Sequence, residues 1–207
     1  MKKKKLVYGV GINDADYVVK VNETIGYENG KQKRRLVWLC PFYGRWVNML
    51  ARCYSTSYKQ INPTYEGCSV CEEWLRFSNF RAWMEKQDWE GKHLDKDLLN
   101  PRNKVYSPEA CVFVDERVNL FLTECSAARG EYMIGVYWDK SKDKFRAVCR
   151  SAGKSKHLGC FGTEIEAHKA WLAFKLKQAK ILAAEQTDPR VAKALIGRYE
   201  NYAIDEQ

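Results

Sequence analysis

The residues best suited to binding a ligand are cations at alternate positions between residues 144 and 150. Lys144, Arg146 and Arg150 alternate with Phe145, Ala147 and Cys149 in the run KFRAVCR. Because side chains of a strand point to opposite faces in turn, the two sets should lie on opposite faces. The pattern predicts a basic face that binds water or a polyanion, backed by an apolar face.

Neighbouring segments predict the elements that hold this strand. Val136–Trp138 is an aromatic and β-branched run followed by a polar turn at 139–143, and a glycine-containing turn at 151–155 precedes a third strand, Lys156–Phe161. Thr163 and Glu166 form a capping box that begins a helix. Its apolar positions can cover the apolar sheet face; they are Ala167, Ala170, Trp171 and Phe174.

This arrangement resembles the Apetala-two/ethylene-response-factor type of DNA-binding domain. The resemblance is carried by Gly135-Val136, Trp138-Asp139, Lys144-Phe145, Ala147, Leu158-Gly159, Phe161, Thr163, Glu166 and Ala167. It implies a three-stranded sheet in the major groove, with contacts from Tyr137, Lys140, Lys144, Arg146, Arg150, Lys154 and Lys156. The alternative is a small α+β module whose basic face is only solvated.

Charge favours an acidic polymer as partner. The 207 residues carry a formal net charge of +9, with 45% hydrophobic and 29% charged residues. Between Cys125 and Lys180 there are 12 Lys/Arg and 5 Asp/Glu, a net of +7. A second basic cluster, Lys2–Lys5 with Lys31, Lys33, Arg34 and Arg35, is either a solvated tail and loop or a phosphate contact.

Targeting signals are not expected. No apolar run reaches membrane-spanning length, and the N-terminal lysines precede no secretory segment, so we expect an intracellular, cytoplasmic protein with no membrane partner. No nucleotide cofactor is expected.

The middle of the chain carries a second set of residues in a recognisable order. They are Pro41, Tyr43, Trp46, Met49, Arg52-Cys53, Val70-Cys71, Trp74, Phe77, Phe80, Leu94-Asp95, Tyr106, Pro108, Cys111 and Asn119. This order resembles the core of phage HNH-type homing endonucleases. The resemblance implies a finger of two strands and a helix, in which a histidine activates water and a divalent ion, Mg²⁺ or Mn²⁺, holds the scissile phosphate.

Carried onto this chain, the resemblance makes His93 the base and Asp95 and Asp97 the metal ligands, with Asn119 in support. If the segment is a strand, alternation places both aspartates on one face. Ala110 stands where the family has its metal-side asparagine, and Glu116 where it has glutamine. The alternative is a finger that keeps its fold and DNA contacts without catalysis.

Eight cysteines in an intracellular chain predict thiols or metal ligands rather than disulfides. In the resemblance, Cys40, Cys53, Cys71 and Cys111 fall on positions of His, Cys, Cys and Cys, which implies a structural zinc site. The alternative is that they are small buried apolar residues. Cys125, Cys149 and Cys160 are predicted to pack.

The remaining segments complete an α+β prediction. Leu6–Ile12 is expected to be a strand and Gly26–Arg35 a polar loop. A set of aromatic residues is expected to form a core rather than to stack on bases, because Trp74, Phe77 and Met84 follow helical spacing. The set is Trp38, Trp46, Trp74, Phe77, Phe80, Trp83 and Trp89. Asp188-Pro189 begins a last helix that runs to about Tyr202. With a break near 126–132, the predicted parts are an extension at 1–39, the HNH-like core at 40–125, the DNA-binding domain at 132–184 and the final helix at 185–207.

Two functions follow as hypotheses. The first is a metal-dependent DNA endonuclease that makes a nick or a double-strand break. The second is a catalytically inactive DNA-binding regulator or accessory protein built from the same parts. A third class, a protein that binds another protein, predicts weak DNA affinity with little salt dependence.

Overall fold

The fold is α+β and separates into two compact units, Met1–Glu116 and Arg117–Gln207. The computed structural model describes residues 5–123, 131–151 and 153–202. The unit boundary lies before the predicted break, most of which, residues 126–130, is outside the described residues, as are Cys125 and Lys2–Lys4. Across the described ranges, no helix combines the length and the apolar character that crossing a membrane requires.

Helices and strands are named here in chain order. They are β1 (Lys20–Glu28), β2 (Lys31–Leu39), α1 (Pro41–Tyr54), α2 (Thr56–Ile61), β3 (Ser69–Val70), α3 (Phe77–Met84), β4 (His93–Asp95), β5 (Val105–Tyr106), β6 (Val112–Val114), α4 (Glu116–Leu122), β7 (Val136–Asp139), β8 (Lys144–Ser151), β9 (Lys154–Phe161), α5 (Glu164–Ala184) and α6 (Pro189–Glu200).

The core of the first unit is built on aromatic side chains of α1, of α3 and of the short 3-10 helix Glu72–Leu75 that precedes α3. Trp46, Trp74 and Phe80 are fully buried, and the indole Nε1 of Trp46 donates to the carbonyl of Trp74 at 2.7 Å. That bond satisfies a polar atom that burial would otherwise leave unpaired. The predicted role as core is confirmed for Trp46, Trp74, Phe77 and Phe80, and Trp83 and Trp89 pack partly against this cluster. It is wrong for Trp38, which is 45% exposed on β2.

The predicted strand at Leu6–Ile12 is wrong. Val7 and Gly11 exchange backbone hydrogen bonds of 2.8 Å across a tight turn in which Tyr8 has φ 51°. Gly11 lies so close to α1 that a Cβ there would be 2.5 Å from Leu50 Cδ1. The segment then joins the core, because the amide of Ile12 donates to the carbonyl of Leu75 at 2.8 Å.

The predicted polar loop at Gly26–Arg35 is also wrong, because β1 and β2 form a long antiparallel hairpin. Asn29 (φ 49°) and Gly30 (φ 74°) occupy its turn. Two central residues with positive φ are the signature of a type I′ turn, for which Asn-Gly is a preferred pair.

The second unit contains the predicted three-stranded antiparallel sheet, in the order β7-β8-β9. The capping box of Thr163 and Glu166 begins α5 as predicted, and Ala167 and Trp171 of this helix are buried in clusters with sheet residues. The final helix, α6, begins at Pro189 behind the capping carboxylate of Asp188, as predicted. Its buried stripe is Val191, Leu195 and Tyr199.

Contact between α5 and the start of β7 predicts a strict requirement for Gly135. This residue has φ +82°, and a Cβ on it would lie 2.1 Å from Trp171 Cδ1, whereas Gly153 has φ +76° with no described atom within 4 Å of its Cβ position. We expect Gly153→Ala to lower the free energy of unfolding by roughly 1–2 kcal/mol through backbone strain. Gly135→Ala should cost roughly 1–3 kcal/mol more through overpacking.

Urea unfolding of the two variants measures the difference. Equal losses would contradict a close contact between Gly135 and Trp171.

Candidate functional site

The outer face of the three-stranded sheet, defined here as the face opposite α5, presents the predicted basic side chains. Lys144, Arg146 and Arg150 of β8 are exposed, whereas Ala147 and Cys149 between them are buried. The predicted alternation of β8 is therefore confirmed. Burial under α5 fixes this assignment, because a slip of one residue would place cations in the core.

Tyr137 lies beside these cations. It pairs with Arg146 across β7 and β8, and 54% of its surface is exposed. Paired residues of antiparallel strands project to the same side, so the phenol and the guanidinium are neighbours on the outer face. An aromatic ring next to a guanidinium offers both stacking and hydrogen bonding to a ligand.

Two acidic residues, Asp139 and Asp143, lie at this end of the sheet. Asp139 pairs with Lys144, and its Oδ1 accepts hydrogen bonds from the hydroxyl of Ser141 at 2.6 Å and from the amide of Ser141 at 3.1 Å. The hydroxyl bond is the main cause that holds the pKa of Asp139 below its usual range. Asp139 therefore stays ionised and offsets part of the charge at this end of the face.

A β-bulge changes the orientation of β9. Ala147 pairs with Gly159, yet Val148 pairs with His157, so Leu158 is the extra residue. Leu158 packs in the core between sheet and helix, and Gly159 next to it has φ +143°. Beyond the bulge, residues of β9 therefore point to the side opposite to that expected from unbroken alternation.

The consequence is that Lys156 does not share the outer face. It pairs with buried Cys149, and its Nζ lies 4.9 Å from the ring centre of Phe174 on α5. The expectation that Lys156 lies on the DNA-reading face is therefore wrong in this structure. Lys154 is exposed, but alternation along β9 places it on the same side as Lys156. Lys140 is exposed in the turn after β7.

His157 takes a place on the outer face that the sequence analysis did not assign. Its Nε2 lies 3.8 Å from the Sγ of Cys160, and Lys142 Nζ lies 3.9 Å from the same sulfur. Cys160 pairs with Arg146, so it belongs to the outer face and not to the predicted packing. Gly159 could have predicted this change of face, since an isolated glycine within a strand often marks a bulge.

In the first unit, β4 pairs antiparallel with β6, and α4 follows in the chain, in the order strand, strand, helix. His93 is exposed and pairs with Val114. Asp95, at the end of β4, accepts hydrogen bonds on Oδ1 from the amides of Asp97 (2.8 Å) and Leu98 (2.7 Å). That carboxylate therefore shapes the turn after the strand.

Lys96 occupies the centre of this turn. It is only 6% exposed, and its Nζ donates to Asp97 Oδ1 at 2.5 Å and to the carbonyl of Asn103 at 2.8 Å. The ammonium also lies 5.8 Å from the ring centre of Tyr106. Since the strand ends at Asp95, the expected common face of Asp95 and Asp97 does not form, and Asp97 is paired with a lysine instead.

The donor set does not fit a divalent ion. Over the described ranges, no three His, Cys, Asp or Glu side chains come together as a metal site requires. His93, Asp95 and Asp97 are thus not gathered, and Asn119 belongs to the second unit, on α4.

The four cysteines predicted to bind zinc likewise do not form one group. Cys40 lies 3.2 Å from the hydroxyl of Tyr17, whereas Cys53 is near Cys68, and Cys71 is near Cys111. Burial, followed by the charge of the neighbouring Cys68, raises the pKa of Cys53 to about 12. Burial likewise raises the pKa of Cys111 to about 12. Within the described residues, no three of these thiols come together, so the arrangement does not fit a tetrahedral zinc ion, which needs four ligands at one point.

Comparison with known proteins gives no relative: no family model, no curated protein and no solved structure matches the chain.

The packed cysteines predict that the fold does not depend on metal. Because the thiols are buried as neutral groups, incubation with 1,10-phenanthroline should leave the thermal unfolding midpoint unchanged, and the purified protein should contain far less than one zinc per chain. Atomic absorption and calorimetry measure the two quantities. Stoichiometric zinc together with a midpoint lowered by the chelator would contradict this packing and support the zinc site.

Proposed function

We propose that this protein binds double-stranded DNA with sequence preference through the outer face of its three-stranded sheet, and that it does so without cleaving the DNA. The observation that carries the proposal is the one-sided sheet. Tyr137, Lys144, Arg146 and Arg150 are exposed together on one face, while α5 covers the other.

The chemistry of these side chains suits base edges and phosphates. Arg146 is on the central strand, where a guanidinium can donate two hydrogen bonds to the O6 and N7 of guanine. Arg150 lies four residues along the same strand, about 13 Å away at the usual rise per residue, so the two can contact separate base pairs. His157, which lies on the outer face where Lys156 was predicted, adds a ring nitrogen that can hydrogen-bond to the DNA.

Lysines at the strand ends supply contacts that carry no sequence information. Lys140 and Lys142, in the turn after β7, are both exposed. Contacts of such side chains to phosphates position a protein on the duplex and make its affinity fall with salt.

Loss of an outer-face arginine should weaken binding. We expect Arg146→Ala and Arg150→Ala each to reduce the affinity for a preferred duplex by about 1–3 kcal/mol, because each would leave a base edge without its donors. Fluorescence anisotropy on duplexes selected from a random library by the wild-type protein measures the change.

Lys169→Ala is the matched control. Lys169 is exposed on α5, which lies against the other side of the sheet, so its loss removes one charge without touching the outer face. Equal affinity losses for Lys169→Ala and Arg146→Ala would reduce the interaction to net charge alone. Unchanged affinity in both arginine variants would remove the outer face from the proposal.

A metal-dependent endonuclease is the second candidate function. It is favoured by the order of β4, β6 and α4, which is the strand, strand and helix order of the finger in the resemblance stated above. The contacts at the turn weigh against it, because Lys96 is bonded to Asp97 and two amides are bonded to Asp95. A DNA-binding regulator or accessory protein, in which the strand, strand and helix element has no catalytic activity, is therefore the better supported function.

Plasmid cleavage separates the two. With Mg²⁺ or Mn²⁺, we expect purified protein to retard supercoiled plasmid without converting it to nicked or linear form, and Asp95→Ala to behave as the wild type does. Conversion by the wild type alone would establish a nuclease and place Asp95 in its active centre.

A further inference from the structure

The hairpin of β1 and β2, called the ribbon below, is an exposed arm of the first unit. Every residue of both strands is exposed except Gly26, which is half-buried. Two strands of nine residues extend about 30 Å at 3.3 Å per residue. An isolated two-stranded ribbon with both faces in water is at best marginally stable. Its exposed side chains are therefore better explained by a binding partner than by packing within the unit.

Its base is anchored in the core. The amide of Cys40 donates to the carbonyl of Val19 at 2.9 Å, and both residues are buried. The ribbon therefore begins and ends at one fixed point of the first unit, as an arm does.

The two faces of the ribbon differ in chemistry. Both acidic residues of the strands lie on one face, where Glu23 pairs with Arg35, and Glu28 pairs with Lys33 at 3.6 Å. The opposite face, called the polar face, has no acidic residue. Its members are Lys20, Asn22, Thr24, Tyr27, Gln32, Arg34, Leu36 and Leu39.

Contacts within the polar face align its side chains in a row. Arg34 donates to Oε1 of Gln32 from Nη2 at 2.6 Å and from Nε at 3.1 Å, and Gln32 Nε2 donates to the hydroxyl of Tyr27 at 3.4 Å. Tyr27 is 71% exposed. A guanidinium held by an amide and not by a carboxylate keeps its positive charge uncompensated and available to an acceptor.

We propose that the ribbon inserts its polar face into the major groove of double-stranded DNA and reads bases there, as a second recognition element. This inference rests on the proposed function. Arg, Asn and Gln are the side chains that make bidentate bonds to guanine and adenine, and a methyl-rich side chain such as Leu36 can contact thymine. The major groove, about 12 Å wide, accepts a two-stranded ribbon.

Charge distinguishes DNA from a protein partner. Between residues 20 and 39 there are five basic and two acidic residues, and both acidic residues are paired across the strands on the other face. Most exposed apolar side chains of the ribbon lie in the half next to the anchored base, and Ile25 lies at the irregularity in the middle of β1. Those near the base are Val21, Leu36, Val37, Trp38 and Leu39. Of the five basic residues, Lys31, Lys33 and Arg35 lie on the face with the glutamates, and Lys20 and Arg34 lie on the polar face. The polar face thus carries two cations and no carboxylate, which favours a polyanion.

Adjacent arginines on opposite faces give a matched test. Arg34→Gln and Arg35→Gln each remove one positive charge. The probes are 30-bp duplexes that the wild-type protein selects from a random library. Arg34→Gln should weaken binding by about 5- to 150-fold and change the sequence selected from a random library. Arg35→Gln should weaken binding by less than about threefold and leave the selected sequence unchanged.

Replacement of Lys20–Leu39 by Asn-Gly removes the ribbon while closing the short gap between Val19 and Cys40. The trimmed protein, with its fold checked by circular dichroism, should lose part of the selected sequence and protect a shorter stretch of DNA from nuclease. Wild-type affinity and preference in both the trimmed protein and Arg34→Gln would overturn the ribbon's role.

The two proposals fail in different ways. If Arg146→Ala abolishes binding while the trimmed protein binds normally, the sheet reads DNA and the ribbon does not. If the wild type binds no duplex at all, the proposed function fails and the DNA role of the ribbon fails with it. A dimer that becomes monomeric on trimming, with unchanged DNA affinity, would assign the ribbon to self-association instead.

Discussion

The second unit depends on one close contact, that of Trp171 with Gly135. The indole of Trp171, on α5, is 5% exposed. A Cβ atom on residue 135 would lie only 2.1 Å from the Cδ1 atom of this indole, so only glycine fits there. This contact holds the helix against the start of β7. Once the helix covers one face, the pleat of the strands places Arg146 and Arg150 on the other. The basic surface is therefore a consequence of apolar packing.

Not every cation of this basic chain is available to a ligand. Lys175 is 8% exposed, and its Nζ donates to the carbonyl of Phe121 at 2.8 Å and lies 3.6 Å from the centre of that ring. Lys96 is similarly enclosed in the first unit, and Lys156 lies over an aromatic ring. Buried ammonium groups require such partners, because an unpaired charge is costly away from water. Net charge therefore overstates the surface that can bind DNA.

The two units present their exposed cations differently. In the three-stranded sheet, a helix stabilises the strands and only one face remains for a partner. In the ribbon, neither face is covered, and the strand register places Glu23 and Glu28 opposite the polar face, where they pair with Arg35 and Lys33. Exposed ion pairs contribute little stability. Their placement separates the chemistry of the two faces.

The sequence by itself determined the elements that local chemistry specifies. The alternation of β8, the capping box of Thr163 and Glu166, and the start of α6 behind Asp188 could each be predicted from a few neighbouring residues. Each of these signals acts within one or two turns of chain, so no distant contact can reverse it easily. The hairpin was predictable too, since Asn29-Gly30 favours a type I′ turn, but the weak alternation of its exposed strands concealed it.

Only the tertiary structure decided which side chains meet. The bulge at Leu158 exchanged the faces of Lys156 and His157, because Leu158 is drawn into the core between helix and sheet. The burial of Lys96 depended on the carbonyl of Asn103, seven residues away, and the separation of the four cysteines depended on how distant segments pack. Residue types indicated metal chemistry, but a metal site requires several ligands at one point in space. Spacing along the chain does not specify that distance, because it is set by the packing of the whole unit.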